Sequence, residues 1–402
     1  MKKIVALILA MAMIACMFVG CKDDTSKDPD PTTEGTEAPT TEGTEAPTTE
    51  GTEAPASDWR VAMITDYGDI TDQSFNQATY EGAQAYCNAN GVDFTYYKPT
   101  DDSTAARVAS IDQAVAEGYN VLLMPGFAFA GAIAETVEMY PDVKYIALDV
   151  SAGDLEGEGM SAPYPENLFC AVYQEELAGY MAGYAAVKMG YTKLGFLGGM
   201  AVPAVVRYGY GFVQGADAAA VELNKTGDVS VNYAYGNQFF GDADITAYMD
   251  TWYGADTEIV FACGGGIWAS AAEAAAKQDG KKVIGVDVDQ AATIDTYGEG
   301  MTVTSAMKGL AATVQTVLGD LVAGNWGTYA GQVMNLGLVS GDDVEANYVQ
   351  LPLESTQWND TFTQDDYKAL VAAMFDGTVT VSADIEAEPT TTIAVDYQGN
   401  IK

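Results

Sequence analysis

The segment Asp66-Tyr67-Gly68-Asp69-Ile70-Thr71-Asp72-Gln73-Ser74-Phe75-Asn76-Gln77 brings together carboxylates, a hydroxyl, amides and an aromatic ring. Such a set suits a small polar ligand with a flat ring, because the polar groups can bond its edges while Phe75 covers a face. The apolar run Val61–Ile64 precedes the segment, and Phe75, Ala78, Gly82 and Tyr86 then recur at helical spacing. The segment therefore reads as the loop between a strand and a helix N-terminus, where ligands bind in open α/β sheets. A plainer role fits the same residues. Ser74 and Gln77 have the spacing of a capping box, with Phe75 turned into the core.

Other polar stretches also follow apolar runs. Asp149 follows Tyr145–Leu148, and Asp287 follows Val283–Val286, with Asp289 as a competing acid. Lys308 comes shortly after Met301–Thr304, and Asn237-Gln238-Phe239-Phe240-Gly241-Asp242 follows Val229–Tyr235. Gly264-Gly265-Gly266 follows Ile259–Ala262. It can bring backbone N–H groups close to a ligand or simply make a tight turn, and it lacks the Lys of a P-loop.

These runs alternate with amphipathic stretches such as Ala105–Glu117, Gln174–Lys188 and Ala271–Gln278. Alternation of this kind indicates an α/β fold with parallel sheets and right-handed crossovers. Ten candidate strands are generous for one sheet, so two lobes are expected. The alternation weakens after Gly337, where only a helix over Gln364–Phe375 and a strand over Thr392–Val395 suggest themselves.

The 402 residues include 18 basic and 57 acidic side chains, a net charge of -39. Nucleic-acid binding is not expected of such a chain, since phosphate contacts need clustered Lys and Arg. There is no histidine, which excludes Ser-His triads, histidine general bases and His-ligated zinc. Cys87, Cys170 and Cys263 fall in apolar or helical contexts and form no CxxC pair, so neither a structural disulfide nor a metal site is expected.

The N-terminal region has two parts. Lys2 and Lys3 precede an apolar run, Ile4 to Val19, in the manner of a secretory signal. Val19-Gly20-Cys21-Lys22 then resembles a bacterial lipobox, which implies lipid attachment at Cys21 and a leader over 1–21. Over 22–56, Pro-Thr-Thr-Glu-Gly-Thr-Glu-Ala begins at Pro31, Pro39 and Pro47. Its residues cannot build a core, and an extended tether is expected.

Several motifs now align. They are Asp72-Gln73-Ser74-Phe75-Asn76, Pro125-Gly126-Phe127-Ala128-Phe129, Leu148-Asp149, and Gly195-Phe196-Leu197-Gly198-Gly199-Met200 followed by Pro203, Arg207 and Gly211-Phe212. Asp287-Val288-Asp289-Gln290 and Thr304-Ser305-Ala306-Met307-Lys308 complete the set. Together they resemble the basic membrane protein family of ABC-transporter substrate-binding lipoproteins, over roughly Trp59 to Gly337. The resemblance implies two Rossmann-like lobes joined by a hinge, similar to periplasmic-binding-protein type I folds. The body is then 57–402, with one lobe over about 57–172 plus 290–335 and the other over about 173–289 plus 336–402.

The resemblance also implies a monomeric receptor on the extracytoplasmic face of a membrane, which hands a purine nucleoside to an ABC permease without catalysis or cofactor. At matching positions, Phe75 and Phe240 are the implied aromatic partners of the base, with Phe239 beside Phe240 as the competing candidate. Asp66, Ser74, Asn76 and Asp149 supply polar contacts, and Asp287 with Lys308 holds the ribose. Trp268 departs from the smaller residues of the family there and, facing the cleft, would alter ligand choice. Two alternatives stand beside this reading. One is a sugar or other small metabolite in the same fold. The other is a nucleoside-processing enzyme using calcium at Asp66, Asp69 and Asp72, although their spacing of three is not that class's compact pattern.

Replacing the lipobox cysteine tests the N-terminal reading. Cys21→Ala is expected to leave the leader unprocessed or to shift the protein out of the membrane fraction. Unchanged processing and retention, followed by fractionation and mass spectrometry, would remove the anchor from Cys21.

Overall fold

A computed structural model describes residues 58–66 and 68–402. The leader with Cys21, the repeat over 22–56 and Tyr67 lie outside the described residues. Two parallel sheets organise the rest, within one compact unit, Glu53–Lys402.

The first lobe begins with β1 (Arg60–Ile64), α1 (Phe75–Asn90), β2 (Asp93–Tyr97), α2 (Thr104–Ala116) and β3 (Val121–Pro125). It continues through α3 (Ala130–Thr136), β4 (Lys144–Leu148), α4 (Ala152–Gly157) and β5 (Leu168–Tyr173). All of β3 is buried, as expected of a parallel strand covered on both faces. The second lobe runs α5 (Glu175–Lys188), β6 (Lys193–Gly198), α6 (Pro203–Glu222), β7 (Ser230–Tyr235), α7 (Ala243–Gly254) and β8 (Ile259–Cys263). It then adds α8 (Trp268–Ala275), β9 (Lys282–Asp287), α9 (Ala291–Ile294) and β10 (Thr302–Lys308).

The chain next returns to the first lobe as α10 (Leu310–Val322) and β11 (Gln332–Leu336). It finishes on the second with β12 (Val349–Gln350), α11 (Gln364–Phe375) and β13 (Ala394–Asn400). The sheet orders are β11-β5-β4-β3-β1-β2 and β12-β10-β9-β8-β6-β7-β13. Pairing is parallel throughout except between β10 and β12.

This connectivity corrects the expected lobe boundaries. The segment 290–335 does not belong wholly to the first lobe, because β10 pairs with β9 in the second sheet, Ser305 opposite Gly285. The crossing comes at Lys308–Leu310 instead. From there α10 lies against α1 so closely that a Cβ on Gly82 would stand 2.6 Å from Ala311 Cα. The strand β11 was also not anticipated. It is a short edge strand with Gln332 and Asn335 exposed, so it lacks the apolar run that marks the central strands.

The start of α1 also differs from the capping-box expectation. Ser74 makes no side-chain cap bond. Asp72 does that work, its carboxylate accepting from the backbone N–H groups of Ser74 (2.9 Å), Asn76 (2.9 Å) and Gln77 (3.1 Å). A carboxylate at a helix N-terminus is favoured both by the unsatisfied N–H groups and by the helix dipole.

The helices α5 and α6 are packed backbone against backbone. A Cβ on Gly179 would lie 2.1 Å from Tyr208 O, and one on Gly183 would lie 2.1 Å from Phe212 O. Gly211 and Gly215 make the reciprocal approaches to Glu176 O and Tyr180 O. Glycines four residues apart on both helices thus bring Glu175, at the start of α5, within reach of Arg207 on α6.

That closeness sets a stability test. Gly183→Ala is expected to destabilise the protein by about 1–3 kcal/mol through overpacking. Gly227→Ala, where a Cβ meets nothing within 4 Å, should stay within about 0.5 kcal/mol of the parent. Urea unfolding of the two variants measures the difference.

Candidate ligand-binding site

A cleft with about 1030 Å³ of space, part of it open solvent, is lined by both lobes. Asp66, Asp72, Phe75, Asn76, Phe127 and Asp149 line it from the first lobe, and Arg207, Tyr208, Phe239, Asp287 and Lys308 from the second. The carboxyl ends of β1, β4, β9 and β10 deliver many of these groups, as the strand-end rule for open sheets requires. Asp149 and Asp287 hang from left-handed backbone, φ 61° and 64°, at the ends of β4 and β9. Aspartate visits that region more readily than most residues, yet holding it there still costs about 1–2 kcal/mol.

Lys308 sits at the centre of the charged groups. Its side chain is 2% exposed, and Nζ donates to Asp149 Oδ2 at 2.6 Å and Glu175 Oε1 at 3.3 Å. Arg207 Nε donates to the other oxygen of Glu175 at 2.6 Å. The ammonium also lies 4.8 Å from the Phe75 ring centre and 5.3 Å from that of Tyr173. Burial works against the Lys308 charge, but Asp149, Glu175 and Asp287 together hold it protonated above the ordinary lysine range. Burial pushes the Glu175 carboxyl up, against the pull of Lys308 and Arg207. Glu175 and Arg207 were not singled out as site residues beforehand. Arg207 stood only within the motif after Gly195–Met200, and the glycines four apart on both helices are the signal that could have shown it meeting Glu175.

Asn76 is 3% exposed, and its Nδ2 donates to Asp66 Oδ1 and Asp72 Oδ2, each at 3.2 Å. With the amide nitrogen committed to two carboxylates, Oδ1 is left as a buried acceptor without a partner. Asp149 Oδ1 and the Tyr208 hydroxyl are likewise buried without partners among the described residues. Buried polar atoms in that state call for a ligand or water, since leaving one unsatisfied costs about 1–3 kcal/mol.

Two expectations need correction, and one condition is not met. Phe240 is 56% exposed and does not line the cleft, whereas Phe239 does. The loop turns at Asn237, φ 60°, and the Phe239 ring fills space left by Gly199, Gly264 and Gly265, where a Cβ would approach it or its backbone to 2.4–2.9 Å. Ser74 does not line the cleft either. Its buried hydroxyl donates to Asp287 Oδ2 at 2.5 Å, so it supports that carboxylate from behind. Trp268 is not among the lining residues, and its indole N–H instead reaches Asp72 O at 3.3 Å.

Other assignments are resolved by placement. Of the two competing acids, Asp287 is buried in the cleft wall while Asp289 is exposed and caps Ala291 N–H. The three N-terminal aspartates do not converge. Asp69 is exposed and pairs with Lys98 at 3.1 Å. Among the described residues no group of three or more His, Cys, Asp or Glu is placed to hold a metal ion.

A cleft walled by strand ends from two parallel sheets is a solute-binding geometry, and comparison with known proteins agrees. Residues 59–368 match the family model described as ABC transporter substrate-binding protein PnrA-like. The chain belongs to that family. The ABC transporter nucleoside-binding protein BmpA of Lactococcus lactis subsp. cremoris is 28% identical over 243 residues, covering 58% of this chain and 64% of that one. Basic membrane protein B of Borreliella burgdorferi is 25% identical over 287 residues, covering 70% and 79%. Among solved structures, an ABC transporter solute-binding protein from Aeropyrum pernix K1 superimposes with a TM-score of 0.61 at 19% identity, covering 80% of this chain and 87% of that one. This last likeness speaks for the two-lobed fold alone.

Asp287 gives the site a pH signature. Burial lifts its carboxyl to about 6, against the opposing pull of Lys308 and the Ser74 hydroxyl. Between about pH 4 and 6 the folded state therefore holds this proton more tightly than the unfolded chain. The group favours folding below about pH 4, loses that contribution as pH rises through 6, and is a net penalty at pH 7. Asp287→Asn is expected to be more stable than the parent at pH 7, by up to about 3 kcal/mol, and to lose that advantage at about pH 4. Urea unfolding at the two pH values checks the sign.

Proposed function

We propose that this protein captures a purine nucleoside between its lobes and presents it to an ABC permease, held to the extracytoplasmic face of a membrane by lipid on Cys21. The observation that carries this reading is the composition of the cleft. Phe75 and Phe239 line it from opposite lobes, with the buried acceptors Asn76 Oδ1 and Asp149 Oδ1 between strand ends. A purine has two π-faces and an edge bearing N–H donors, and each element of the cleft answers one of these. The nucleoside-binding relative in Lactococcus supports the same ligand class.

The ribose falls to Asp287 and Lys308 in this reading. Ser74 donates to one Asp287 oxygen, and Asp287 itself lines the cleft beside Lys308. Sugar hydroxyls are donors and acceptors at once, so a carboxylate beside an ammonium can hold an adjacent pair. The cleft binds and releases its ligand and does no chemistry on it, consistent with a family of solute-binding proteins.

Calorimetry of the soluble body with adenosine, 2′-deoxyadenosine and adenine tests the proposal. Phe75→Ala and Phe239→Ala should each weaken adenosine binding about tenfold or more, the equivalent of roughly 1–3 kcal/mol of stacking. Deoxyadenosine and adenine should bind roughly fivefold to a hundredfold more weakly than adenosine, because Asp287 loses a buried donor. Wild-type affinity in both phenylalanine variants, or equal affinity for all three compounds, would overturn the assignment. Binding of sugars in place of nucleosides would move the ligand class while keeping the fold.

A further inference from the structure

Three side chains of the second lobe grip two consecutive residues of the first. Trp268 Nε1 donates to Asp72 O at 3.3 Å, Gln290 Nε2 to Gln73 O at 2.8 Å, and Thr293 Oγ1 to Gln73 Oε1 at 3.0 Å. None of the three side chains lines the cleft. We propose that Trp268, Gln290 and Thr293 form a clasp that closes the lobes on one another and sets how long a ligand stays bound. This rests on the ligand reading above only for the choice of probe.

Both halves of the clasp are set before they meet. Gln290 is 1% exposed, and its Oε1 accepts from Val286 N–H at 2.9 Å while its own N–H donates to Ser305 Oγ at 3.1 Å. The amide nitrogen is thereby turned away from its own sheet and toward the opposing lobe. Trp268 begins α8 and stands edge-on to Tyr297, with 6.1 Å between ring centres. On the first lobe, Gln73 adopts left-handed backbone, φ 57°, and both its N–H and its Nε2 donate to Gln77 Oε1. That conformation presents its carbonyl and its side-chain oxygen outward. A hydrogen bond whose partners are already oriented loses little side-chain entropy on forming.

The clasp grips the loop that carries the ligand-facing helix start. Asp72 accepts from Trp268 through its carbonyl, and through its carboxylate it caps α1 and holds the Asn76 amide. Ser74, next after Gln73, crosses to Asp287. Closing the clasp therefore fixes Phe75 and Asn76 relative to the second lobe without touching the ligand. Trp268 and Thr293 act here as positioning residues. Their bonds need nothing from a ligand, so the clasp also holds in the ligand-free protein, where it shifts the open–closed equilibrium toward closed.

Escape of a ligand from a closed cleft waits for the lobes to part. Losing the clasp should therefore raise the dissociation rate and, because a ligand also enters through the open form, leave association unchanged or faster. The test is the double variant Trp268→Phe/Thr293→Val, which keeps the ring against Tyr297 and the shape at 293 while deleting two donors. Gln290 is left alone because its buried amide also serves its own lobe.

Stopped-flow displacement of adenosine should show dissociation at least about fourfold faster, from roughly twofold or more per neutral hydrogen bond. The association rate should be unchanged or higher. Small-angle X-ray scattering of the ligand-free proteins should show a larger radius of gyration for the variant, with urea midpoints alike. An unchanged dissociation rate, or a loss of affinity arising in the association rate, overturns the clasp. Identical scattering also overturns it, and this arm decides the matter even where wild type binds no adenosine and the ligand reading fails.

Discussion

The Lys308 ammonium is the charge on which the cleft depends. It is buried with Asp149, Glu175 and Asp287 around it, and Arg207 is the second cation in the group. An isolated charge at that depth would be untenable, and removing one partner of a buried pair typically costs about 3–5 kcal/mol. Each carboxylate comes from a different element. Asp149 follows β4, Glu175 opens α5 and Asp287 ends β9, so the ammonium ties both sheets to the crossover that follows β5. The fold delivers Lys308 at the end of β10, directly before the chain crosses into α10. One side chain thus stands at a hinge strand, at the floor of the cleft and beneath the Phe75 ring. The position of that ring over the ammonium adds a favourable cation–π contact.

The balance around Lys308 is incomplete, and the incompleteness is where function enters. Three carboxylates face two cations, Asp287 is pushed up to about 6 by burial, and Asp149 keeps one oxygen without a partner. Left-handed backbone at Asp149 and Asp287 adds strain at the same two residues. A sequence under selection for stability alone has simpler options, such as an amide at 287. Left-handed backbone and a buried acceptor without a partner among the described residues coincide at Asp149, in the cleft wall, and that combination fits a site completed by its ligand.

Much of this was legible from residue order. The strand–loop–helix around Asp72 and the two-lobe count follow from apolar runs that end in polar residues, while the grouping of Asp66, Phe75, Asn76, Asp149, Asp287 and Lys308 along one cleft came from the family resemblance of their motifs. The misses share a physical origin. Phe239 and Phe240 differ by one residue in a loop without periodicity, and the choice between them is made by the backbone at Asn237 and by the glycines at 199, 264 and 265. Ser74 has the composition of a cap, but a carboxylate two residues earlier took the helix N–H groups and freed its hydroxyl for Asp287. The strand β10 was given to the wrong lobe because a crossover leaves no mark in the sequence. Only the close approach of Gly82 to Ala311 shows where α10 must dock. Glu175 and Arg207 look like an ordinary helix start and an ordinary surface cation until α5 and α6 are packed together.

The packing of those two helices also explains how a cleft with so much buried charge stays in place. Four glycines let α5 and α6 approach at backbone distance, which fixes the Glu175–Arg207 pair without relying on long flexible side chains to find each other. Glu175 then presents its second oxygen to Lys308 in a fixed direction, and Lys308 in turn orients Asp149. The order of dependence runs from helix contact to ion pair to ligand-facing carboxylate. Rigidity is needed at the start of that series because the lobes themselves must move. A carboxylate held by a rigid helix pair keeps its geometry through opening and closing. The bonds that cross between lobes, Lys308 to Asp149 and Ser74 to Asp287, are remade at each closure. The two ends of the site are therefore unequal. The Lys308–Glu175–Arg207 group is a floor carried by the second lobe alone, while the Lys308–Asp149 and Ser74–Asp287 bonds both need the first lobe in place.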